Sequence, residues 1–272
     1  MATVLNVSPD HMDRYADIEA YAAAKGRVLK GAGVGVYNAD DPIVAAMSGS
    51  DDTWYFTLGE SQDDKMFGVC PIDGGKYLCR NEQPLFAIDE LKIPGRHNLA
   101  NALAALAMGT ALGFDLAVML DVLRSFRGLP HRTEFVAEIG GVRWYNDSKG
   151  TNVGASIAAL QGLDRGDDTR TVLIAGGDCK GADFSALSRV LDTCARAVVL
   201  IGRDVESIAA VVPNAVVSVV AADMDEAVAR ATEMARPGDR VLLSPACASF
   251  DMFSGYAQRG DRFMQAVRRL AP

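Results

Sequence analysis

Clustered positive charge and long apolar runs are both missing from this sequence. The formal net charge of −8 comes from 27 basic and 35 acidic residues, and no run of Lys and Arg stands out. A nucleic-acid partner is therefore not expected, because nucleic acids are bound by clustered cations. No uninterrupted apolar run approaches the ~18 residues of a membrane-spanning helix. The first ten residues, MATVLNVSPD, have no basic stretch or long apolar run, so we expect no secretory signal.

Metal-binding cysteine motifs are also missing. The chain has five cysteines and three histidines, with no CxxC pair and no zinc-type Cys/His spacing. An odd number of cysteines at irregular spacing favours reduced thiols and a cytoplasmic protein. The five are Cys70, Cys79, Cys179, Cys194 and Cys247.

The absence with the largest consequence concerns phosphate binding. The chain contains no GxxxxGK(S/T), and no other segment is suited to hold the β- and γ-phosphates of a nucleotide. The glycine-rich segment 31–35 precedes a predicted strand (34–37) instead of following one, so we predict a helix end and a turn there. No GxGxxG lies between a strand and a helix, which argues against a nicotinamide-dependent enzyme.

Apolar strands alternate with amphipathic helices in the second half of the chain. This alternation is typical of a mostly parallel sheet covered by helices on both faces, and it predicts the α/β class. Since 49% of the residues are hydrophobic, the chain can bury a sizeable core. The predicted strands are 134–139, 142–145, 172–175, 197–201, 216–220 and 240–243, and the predicted helices are 153–160, 184–194, 205–211, 224–235 and 254–270.

The first half has a different pattern, and Gly128-Leu129-Pro130 is the predicted boundary between domains 1–129 and 130–272. A strand (3–7) and an Ala-rich helix (17–30) come first. Short β-like runs from 53 to 88 predict a small meander. Two helices, 99–112 and 116–126, then complete this half.

Three polar turns follow strands of the second half. Their residues are 146–152, 176–183 and 244–251. Because the carboxyl ends of parallel strands meet at one edge of a sheet, we expect all three turns on one rim, where α/β sheets bind ligands.

The first of these turns lies in WYNDSKGTNVGAS, residues 144–156. Its Asn, Asp, Ser, Lys and Thr side chains lead into a predicted helix, and helix N-termini bind anions well. The alternative is a capped turn with Thr151 or Asn152 as the N-cap. For Lys180 and Ser249, in the other two turns, the alternatives are a plain glycine-rich turn and an N-cap.

The segment 10–14 and Lys25 are further candidates. His11 with a neighbouring carboxylate suits a magnesium ion that also binds phosphate oxygens. Lys25 has small neighbours that leave room around its amine, although a surface lysine on a helix is the simpler interpretation. His97 and His131, like His11, are predicted in polar turns, which is modest evidence for function.

Eight segments taken together resemble the Mur ligase family of peptidoglycan synthesis. They occur in the family's order over nearly the whole chain, and NDSKGTN with SPACASFD resembles the members that add D-glutamate. The segments are LNVSPDHMDRY, YAAAKGR, NADDP, IPGRHNLANALAAL, LPHRTEFV, WYNDSKGTNVGAS, GGDCKGADF and LLSPACASFDMF.

The resemblance implies a fold and a reaction. The fold is part of a central ATPase-type α/β domain followed by a Rossmann-like C-terminal domain with a mostly parallel sheet. The reaction is ATP-dependent addition of D-glutamate to UDP-N-acetylmuramoyl-L-alanine through an acyl phosphate, with Mg²⁺ as the metal.

The resemblance also implies residue roles. His11 and a carbamylated Lys25 would support the metal and the catalytic step. The nucleotide would contact Asn98 and Asn101 at the adenine, Arg132 and Lys149 at the phosphates and Asp147 at the ribose. D-glutamate would be held by Thr151, Lys180, Ser249 and Tyr256, the last standing where the family usually has Phe.

The chain departs from the family in one large respect. The family has a UDP-binding N-terminal domain and a P-loop, and the 272 residues contain neither. We therefore expect the chain alone to be incomplete for catalysis, with the missing portion either removed or supplied as a separate chain. The alternative is a non-catalytic fragment that binds D-glutamate and nucleotide.

Overall fold

The computed structural model describes residues 1–9, 14–93, 95–164 and 168–270. The chain divides into two units, Met1–Arg127 and Gly128–Pro272. Assignment of residues 1–129 and 130–272 as the middle and C-terminal domains stays a prediction. No helix in the described ranges is long and apolar enough to cross a membrane.

The first unit contains a six-stranded sheet in the order β1-β2-β3-β4-β5-β6. Strands β1 to β4 pair in parallel, whereas β4, β5 and β6 form the antiparallel meander predicted from the sequence. The strands are β1 (Ala2–Val4), β2 (Ala32–Asn38), β3 (Ser50–Phe56), β4 (Met66–Ile72), β5 (Gly75–Arg80) and β6 (Gln83–Ala87). The helices are α1 (Ile18–Gly26), α2 (Pro42–Ala45), α3 (Arg96–Ala111) and α4 (Leu116–Ser125).

The main core of this unit lies between the sheet and helices α3 and α4. Val36, Phe67, Leu78 and Leu103 are each 0% exposed within it. A smaller core of Val4, Leu29, Tyr37 and Val44 is formed with the segments before and after β2.

Two boundaries in this unit differ from the sequence prediction. Strand β2 begins at Ala32, so Gly33 lies inside a strand and not in a turn. Helix α1 ends at Gly26, and a short 3-10 helix, Arg27–Leu29, follows it. Neighbouring strands supply hydrogen bonds to the glycine-rich segment, so pairing overrides the weak strand propensity of glycine.

The second unit contains a six-stranded sheet in the order β11-β10-β9-β12-β8-β7. All neighbours are parallel except the edge strand β7, which is antiparallel to β8. The strands are β7 (Glu134–Ile139), β8 (Val142–Asn146), β9 (Thr171–Gly176), β10 (Ala195–Ile201), β11 (Val217–Val220) and β12 (Arg240–Leu243). The helices are α5 (Val153–Leu163), α6 (Ser185–Cys194), α7 (Val205–Ala209), α8 (Met224–Met234) and α9 (Tyr256–Arg268).

Helices cover both faces of this second sheet. Along β9, Leu173 and Ala175 pack with α5, α6 and α7, whereas Val172 and Ile174 face the core formed with α8 and α9. Positions 172–175 of the strand are all apolar because neither face meets water. The predicted α/β sheet with helices on both sides is thereby confirmed.

The strand order also confirms that the three polar turns share one rim. Strand β12 pairs in parallel with β8 on one side and with β9 on the other. The turns after these three strands therefore leave the same edge of the sheet side by side. The chain order reverses here, since β12 enters between earlier strands, and such a switch point is where α/β sheets bind ligands.

Four of the five cysteines are paired, which differs from the expected reduced thiols. Cys70 is bonded to Cys79, and Cys179 is bonded to Cys247. The first pair lies across the β4–β5 hairpin, and the second links the turns after β9 and β12. Sequence spacing could not show either pair, because the strand register and the strand order create them.

Asp239 is a buried carboxylate directly before β12, at the edge of the sheet opposite this rim. It is 1% exposed, and it accepts hydrogen bonds from Arg196 and from the backbone N–H groups of Arg170 and Arg236, each of the latter at 2.9 Å. Burial raises the pKa of Asp239, but these donors prevail and hold it below its usual value.

We expect Asp239→Asn to lower the free energy of unfolding of the second unit by about 2 kcal/mol at pH 7, because charge-assisted hydrogen bonds are weakened. The lowered pKa means that the contribution is present above the unfolded value near 3.9 and lost as the pH falls through the folded value. Urea unfolding at pH 7 and pH 3 measures both effects. The matched control is Asp225→Asn, an exposed partner of Arg269, and an equal loss in both variants would contradict the expectation.

Candidate functional site

Backbone hydrogen bonds join the three turns at the rim of the second unit. The N–H of Ala246 donates to the oxygen of Gly150 at 2.9 Å, which joins the turns after β12 and β8. Asp178 and Ala248 exchange two N–H···O bonds of 3.0 Å, which join the turns after β9 and β12. The turns therefore form one continuous surface, which carries five of the predicted ligand-binding residues: Asp147, Lys149, Thr151, Lys180 and Ser249.

The turn after β8 begins with buried polar residues. Asn146, Asp147 and Ser148 are 0%, 7% and 0% exposed. Asn152 is the N-cap of α5, since its side chain accepts from the N–H of Ala155 at 2.8 Å. That observation decides between the two predicted caps and leaves the Thr151 side chain without this capping role.

The Asp147 carboxylate has donors from two other elements. Its Oδ1 accepts from the N–H of Thr133 at 3.0 Å, and its Oδ2 accepts from the Ser244 hydroxyl at 2.7 Å. Burial raises the pKa of Asp147 to about 6, although these hydrogen bonds and the charge of Arg132 oppose the rise. At neutral pH the group is mostly an anion, and it can still accept hydrogen bonds from a ligand.

Lys149 and Tyr256 are in contact with each other at the turn that carries Asp147. The Lys149 Nζ is 4.3 Å from the centre of the Tyr256 ring, a cation–π distance. The backbone oxygen of Tyr256 accepts from the Ser148 hydroxyl at 2.7 Å. Both predicted site residues are therefore brought together, with the amine held over an aromatic face.

His131 is a buried member of the site that the sequence placed only in a polar turn. Its Nδ1 accepts from the Asn146 amide at 2.9 Å, and this assignment fits because the Asn146 oxygen accepts from the N–H of Ser148. The His131 ring meets the Tyr256 ring edge-on at 5.9 Å. Gly260 permits this packing, since a Cβ there would collide with the imidazole.

Lys180 and Ser249 stand on the other two turns. Lys180 is exposed and has a left-handed backbone with φ of 50°. Ser249 is 3% exposed, and its backbone oxygen accepts from the N–H groups of Met252 and Phe253. Helix α9 begins at Tyr256, so Ser249 is not its N-cap. The alternative interpretation of Ser249 as an N-cap is therefore wrong.

Arg259 connects the turns after β8 and β12, and sequence reasoning missed it. It is 1% exposed and donates to the hydroxyl and carbonyl oxygens of Ser148 and to the carbonyl oxygens of Cys247 and Ala248, at 3.0 to 3.3 Å. A signal was present in the sequence: Arg259 precedes Phe263 by four residues and so shares the apolar face of α9.

The predicted site residues of the first unit lie on two helices. Lys25 is half-buried on α1; its Nζ donates to the backbone oxygen of Asn6 at 3.1 Å and lies 4.9 Å from the Tyr21 ring centre. Asn98 and Asn101 are three residues apart on α3, hence on one face. His11 lies outside the described residues.

A metal site is not formed by the described residues. Within ranges 1–9, 14–93, 95–164 and 168–270, no group of three His, Cys, Asp or Glu side chains is arranged to hold a metal ion. The predicted metal ligands, His11 and Lys25 as a carbamate, therefore stay a prediction, and no chemical step is assigned through the metal.

The rim of the second unit is suited to anionic and hydroxyl-bearing ligands. Lys149, Lys180 and Arg132 supply cations, and Asp147 supplies an acceptor for hydroxyl groups. The same three turns also carry Asp147, Asp178, Asp183 and Asp251, so an anionic ligand there would depend on contacts with individual cations and not on a basic patch.

Two family profiles match the chain. Residues 1–109 match the Mur ligase middle domain, and residues 131–247 match the Mur ligase glutamate ligase domain. The UDP-N-acetylmuramoylalanine--D-glutamate ligase of Nitrosococcus oceani is 51% identical over 270 residues. That match covers 99% of this chain and 59% of the relative, so the chain spans about three fifths of the relative's length.

Solved structures of other ligases share the fold. MurF ligase from Thermotoga maritima in complex with ADP superposes with a TM-score of 0.69 at 17% identity, covering 99% of this chain and 62% of the other. The bifunctional folylpolyglutamate synthase/dihydrofolate synthase of Yersinia pestis, complexed with AMPPNP and a manganese ion, gives 0.68 at 18% identity, covering 98% and 61%.

Proposed function

Since the chain belongs to the Mur ligase family, we propose that it is part of the ligase that adds D-glutamate to UDP-N-acetylmuramoyl-L-alanine. The observation that carries the proposal is the single rim on which Asp147, Lys149, Lys180 and Ser249 stand, on three neighbouring turns. The 51% identity to the Nitrosococcus oceani D-glutamate ligase supports this choice of amino acid.

The rim residues receive separate roles in this proposal. Lys180 pairs with a carboxylate of D-glutamate, and the hydroxyls of Thr151 and Ser249 hydrogen-bond to it. The Tyr256 ring flanks the same ligand. Asp147 accepts from the hydroxyls of the nucleotide ribose.

The phosphates and the adenine are assigned to other residues. Arg132 and Lys149 face the phosphate oxygens as cations. Asn98 and Asn101, one helical turn apart on α3, supply amide groups for the adenine. The ADP and the AMPPNP in the two ligases of similar fold support a nucleotide as co-substrate.

The chemistry follows from the inertness of a carboxylate toward amines. ATP transfers its γ-phosphoryl group to the carboxylate of the alanyl residue, which gives an acyl phosphate and ADP. The D-glutamate amine then attacks the acyl carbon, phosphate leaves with the C–O electron pair, and the amine loses a proton. Mg²⁺ would offset charge on the phosphoryl oxygens when bound, with His11 and Lys25 as its proposed supports.

A cytoplasmic location belongs to the same proposal, because the reaction consumes ATP. The Cys70–Cys79 and Cys179–Cys247 pairs are bonded in the structure, whereas a reducing cytoplasm would hold them as thiols. Counting the thiols in freshly isolated, denatured protein tests this location. Five reactive thiols per chain would agree with the cytoplasm, whereas a single reactive thiol would indicate an oxidising compartment.

D-glutamate binding by the chain tests the proposed function. We expect D-glutamate, but not L-glutamate, to shift the backbone amide signals of Thr151, Lys180 and Ser249 in an NMR titration. Lys180→Ala should weaken the affinity about 10-fold or more, equivalent to at least ~1.4 kcal/mol from a lost charge-assisted contact.

The control for this titration is Arg189→Ala, which removes an exposed cation from α6 of the same unit. Its affinity should equal that of the unaltered chain. In parallel, the chain mixed with ATP, Mg²⁺ and both substrates should release no phosphate, because its sequence has no P-loop motif. Equal shifts from D- and L-glutamate, or shifts confined to other residues, would contradict the proposed amino-acid site.

A further inference from the structure

Ser244 stands directly behind the Asp147 carboxylate. It follows the last residue of β12, and its hydroxyl donates to Asp147 Oδ2 at 2.7 Å across 97 residues of sequence. Ser244 is 0% exposed and Asp147 is 7% exposed. This short bond to an ionised acceptor is therefore shielded from competition with water.

Ser156, on α5, supports Ser244 from the other side. The Ser156 hydroxyl donates to the backbone oxygen of Ser244 at 3.0 Å, and the two hydroxyl oxygens are 2.9 Å apart. Ser156 is also 0% exposed. The Ser244 hydroxyl has two acceptors within reach, Asp147 Oδ2 and Ser156 Oγ. The carboxylate is the closer of the two and, when ionised, the stronger acceptor, so the hydroxyl donates to Asp147.

Gly150 packs directly against Asp147 and Ser244. A Cβ at Gly150 would lie 2.5 Å from Asp147 Oδ2 and 2.8 Å from Ser244 Oγ. The other carboxylate oxygen is fixed by the N–H of Thr133, at 3.0 Å. Each oxygen of Asp147 thus accepts a hydrogen bond from a different segment of the chain. These two bonds restrict rotation of the carboxylate about its side-chain bonds.

The charged groups near Asp147 are few. Arg132 attracts it from the preceding turn, Lys149 is two residues away, and Arg259 bonds the adjacent Ser148. His131 and Glu134 lie on the far side of Asn146, to which both are hydrogen-bonded. Within the described residues Ser244 is accordingly one of two uncharged side chains that donate to Asp147, with Thr133.

We propose that Ser244 is a positioning residue that orients the Asp147 carboxylate for the nucleotide ribose. The inference rests on the proposed function, in which Asp147 binds that ribose. Ser244 acts in a second way as well, because its hydrogen bond opposes the effect of burial on the Asp147 pKa. Without it the protonated form, a weaker acceptor for ribose hydroxyls, extends toward neutral pH.

The first test follows the ionisation of Asp147 itself, with no ligand present. Carbon-13 NMR of the carboxyl group, recorded from pH 4 to pH 9, gives its midpoint in the unaltered chain, in Ser244→Ala and in Ser156→Ala. We expect Ser244→Ala to raise the midpoint by about one pH unit and Ser156→Ala to raise it by less. Ser207→Ala, an exposed serine on α7, should leave it unchanged.

The second test measures ADP affinity against pH in the same variants. Ser244→Ala should bind ADP less tightly than the unaltered chain at pH 6.5 and recover part of the difference at pH 8.5, which a merely structural defect would not do. If Ser244→Ala fails to fold, as circular dichroism would show, Ser156→Ala carries both measurements. An unchanged Asp147 midpoint in the folded variants would overturn the positioning role.

The two tests separate this inference from the proposed function. If Asp147→Asn binds ADP as tightly as the unaltered chain, Asp147 is not the ribose ligand and the proposed nucleotide site fails. If Asp147→Asn loses ADP while Ser244→Ala keeps full affinity at every pH, the nucleotide site stands and the role of Ser244 is overturned.

Discussion

Replacing Arg259 with alanine is expected to lower the free energy of unfolding of the second unit by about 3–5 kcal/mol. The guanidinium is buried, and all its hydrogen bonds go to uncharged oxygens of Ser148, Cys247 and Ala248. Burial lowers the pKa of Arg259 to about 10, against the attraction of Asp251, so it remains a cation at neutral pH. Removing it takes the side-chain donor from the buried carbonyl oxygens of Ser148 and Cys247, each costing about 1–3 kcal/mol, whereas the oxygen of Ala248 keeps the N–H of Asp178.

Urea unfolding followed by circular dichroism measures this loss. Arg262→Ala is the matched control, because Arg262 is exposed on the same helix and should change the stability by less than about 0.5 kcal/mol. Arg259→Lys should recover only part of the loss, since an ammonium group lacks the planar fork that reaches both turns. A loss below 1 kcal/mol in Arg259→Ala would mean that the turns are held by their backbone hydrogen bonds alone.

Asp147→Asn is expected to stabilise the second unit at neutral pH while removing nucleotide binding. The folded-state pKa of about 6 lies above the ordinary value of 3.8, so the folded state binds the proton more tightly than the unfolded state. The stability that this proton gives is fully present below pH 3.8 and is lost as the pH rises through 6. Two pH units correspond to about 3 kcal/mol, the upper limit of the gain in the uncharged variant at pH 7.5.

The measurement is the difference in unfolding free energy between Asp147→Asn and the unaltered chain from pH 4 to pH 8. The difference should grow with pH and level off above 7, which isolates Asp147 from other carboxylates such as Asp239, whose pKa is shifted the other way. Asp192→Asn, on the exposed face of α6, provides a flat reference. A difference that does not depend on pH would show that burial does not disfavour the Asp147 anion.

The architecture of the second unit was predictable because each strand is an apolar run bounded by polar turns. The short apolar segment 172–175 favoured a strand that is buried on both faces, and the alternation with helices then placed three turns on one rim. From that rim the positions of Lys180 and Ser249 on neighbouring turns followed. The resemblance to the Mur ligase family supplied their roles, which the chain's own pattern could not.

Other features depend on contacts that sequence spacing does not encode. Ser244 is one of 14 serines in the chain, and its importance arises from a partner 97 residues away. The Cys179–Cys247 pair arises because β12 lies beside β9. Gly33 signalled a turn, yet it is in a strand because its neighbours Ala32 and Val34 pair with β3. Long-range pairing decides such cases, and a single sequence carries little record of it.

The place of β12 in the sheet bears on how the protein is made. During synthesis β8 and β9 leave the ribosome well before residues 240–243, which later lie between them. Until then each of the two strands has an open edge, and open edges invite pairing with other chains. The nascent polypeptide is therefore most in need of a chaperone during this interval, and the ligand-binding rim is among the last parts of the domain to be completed.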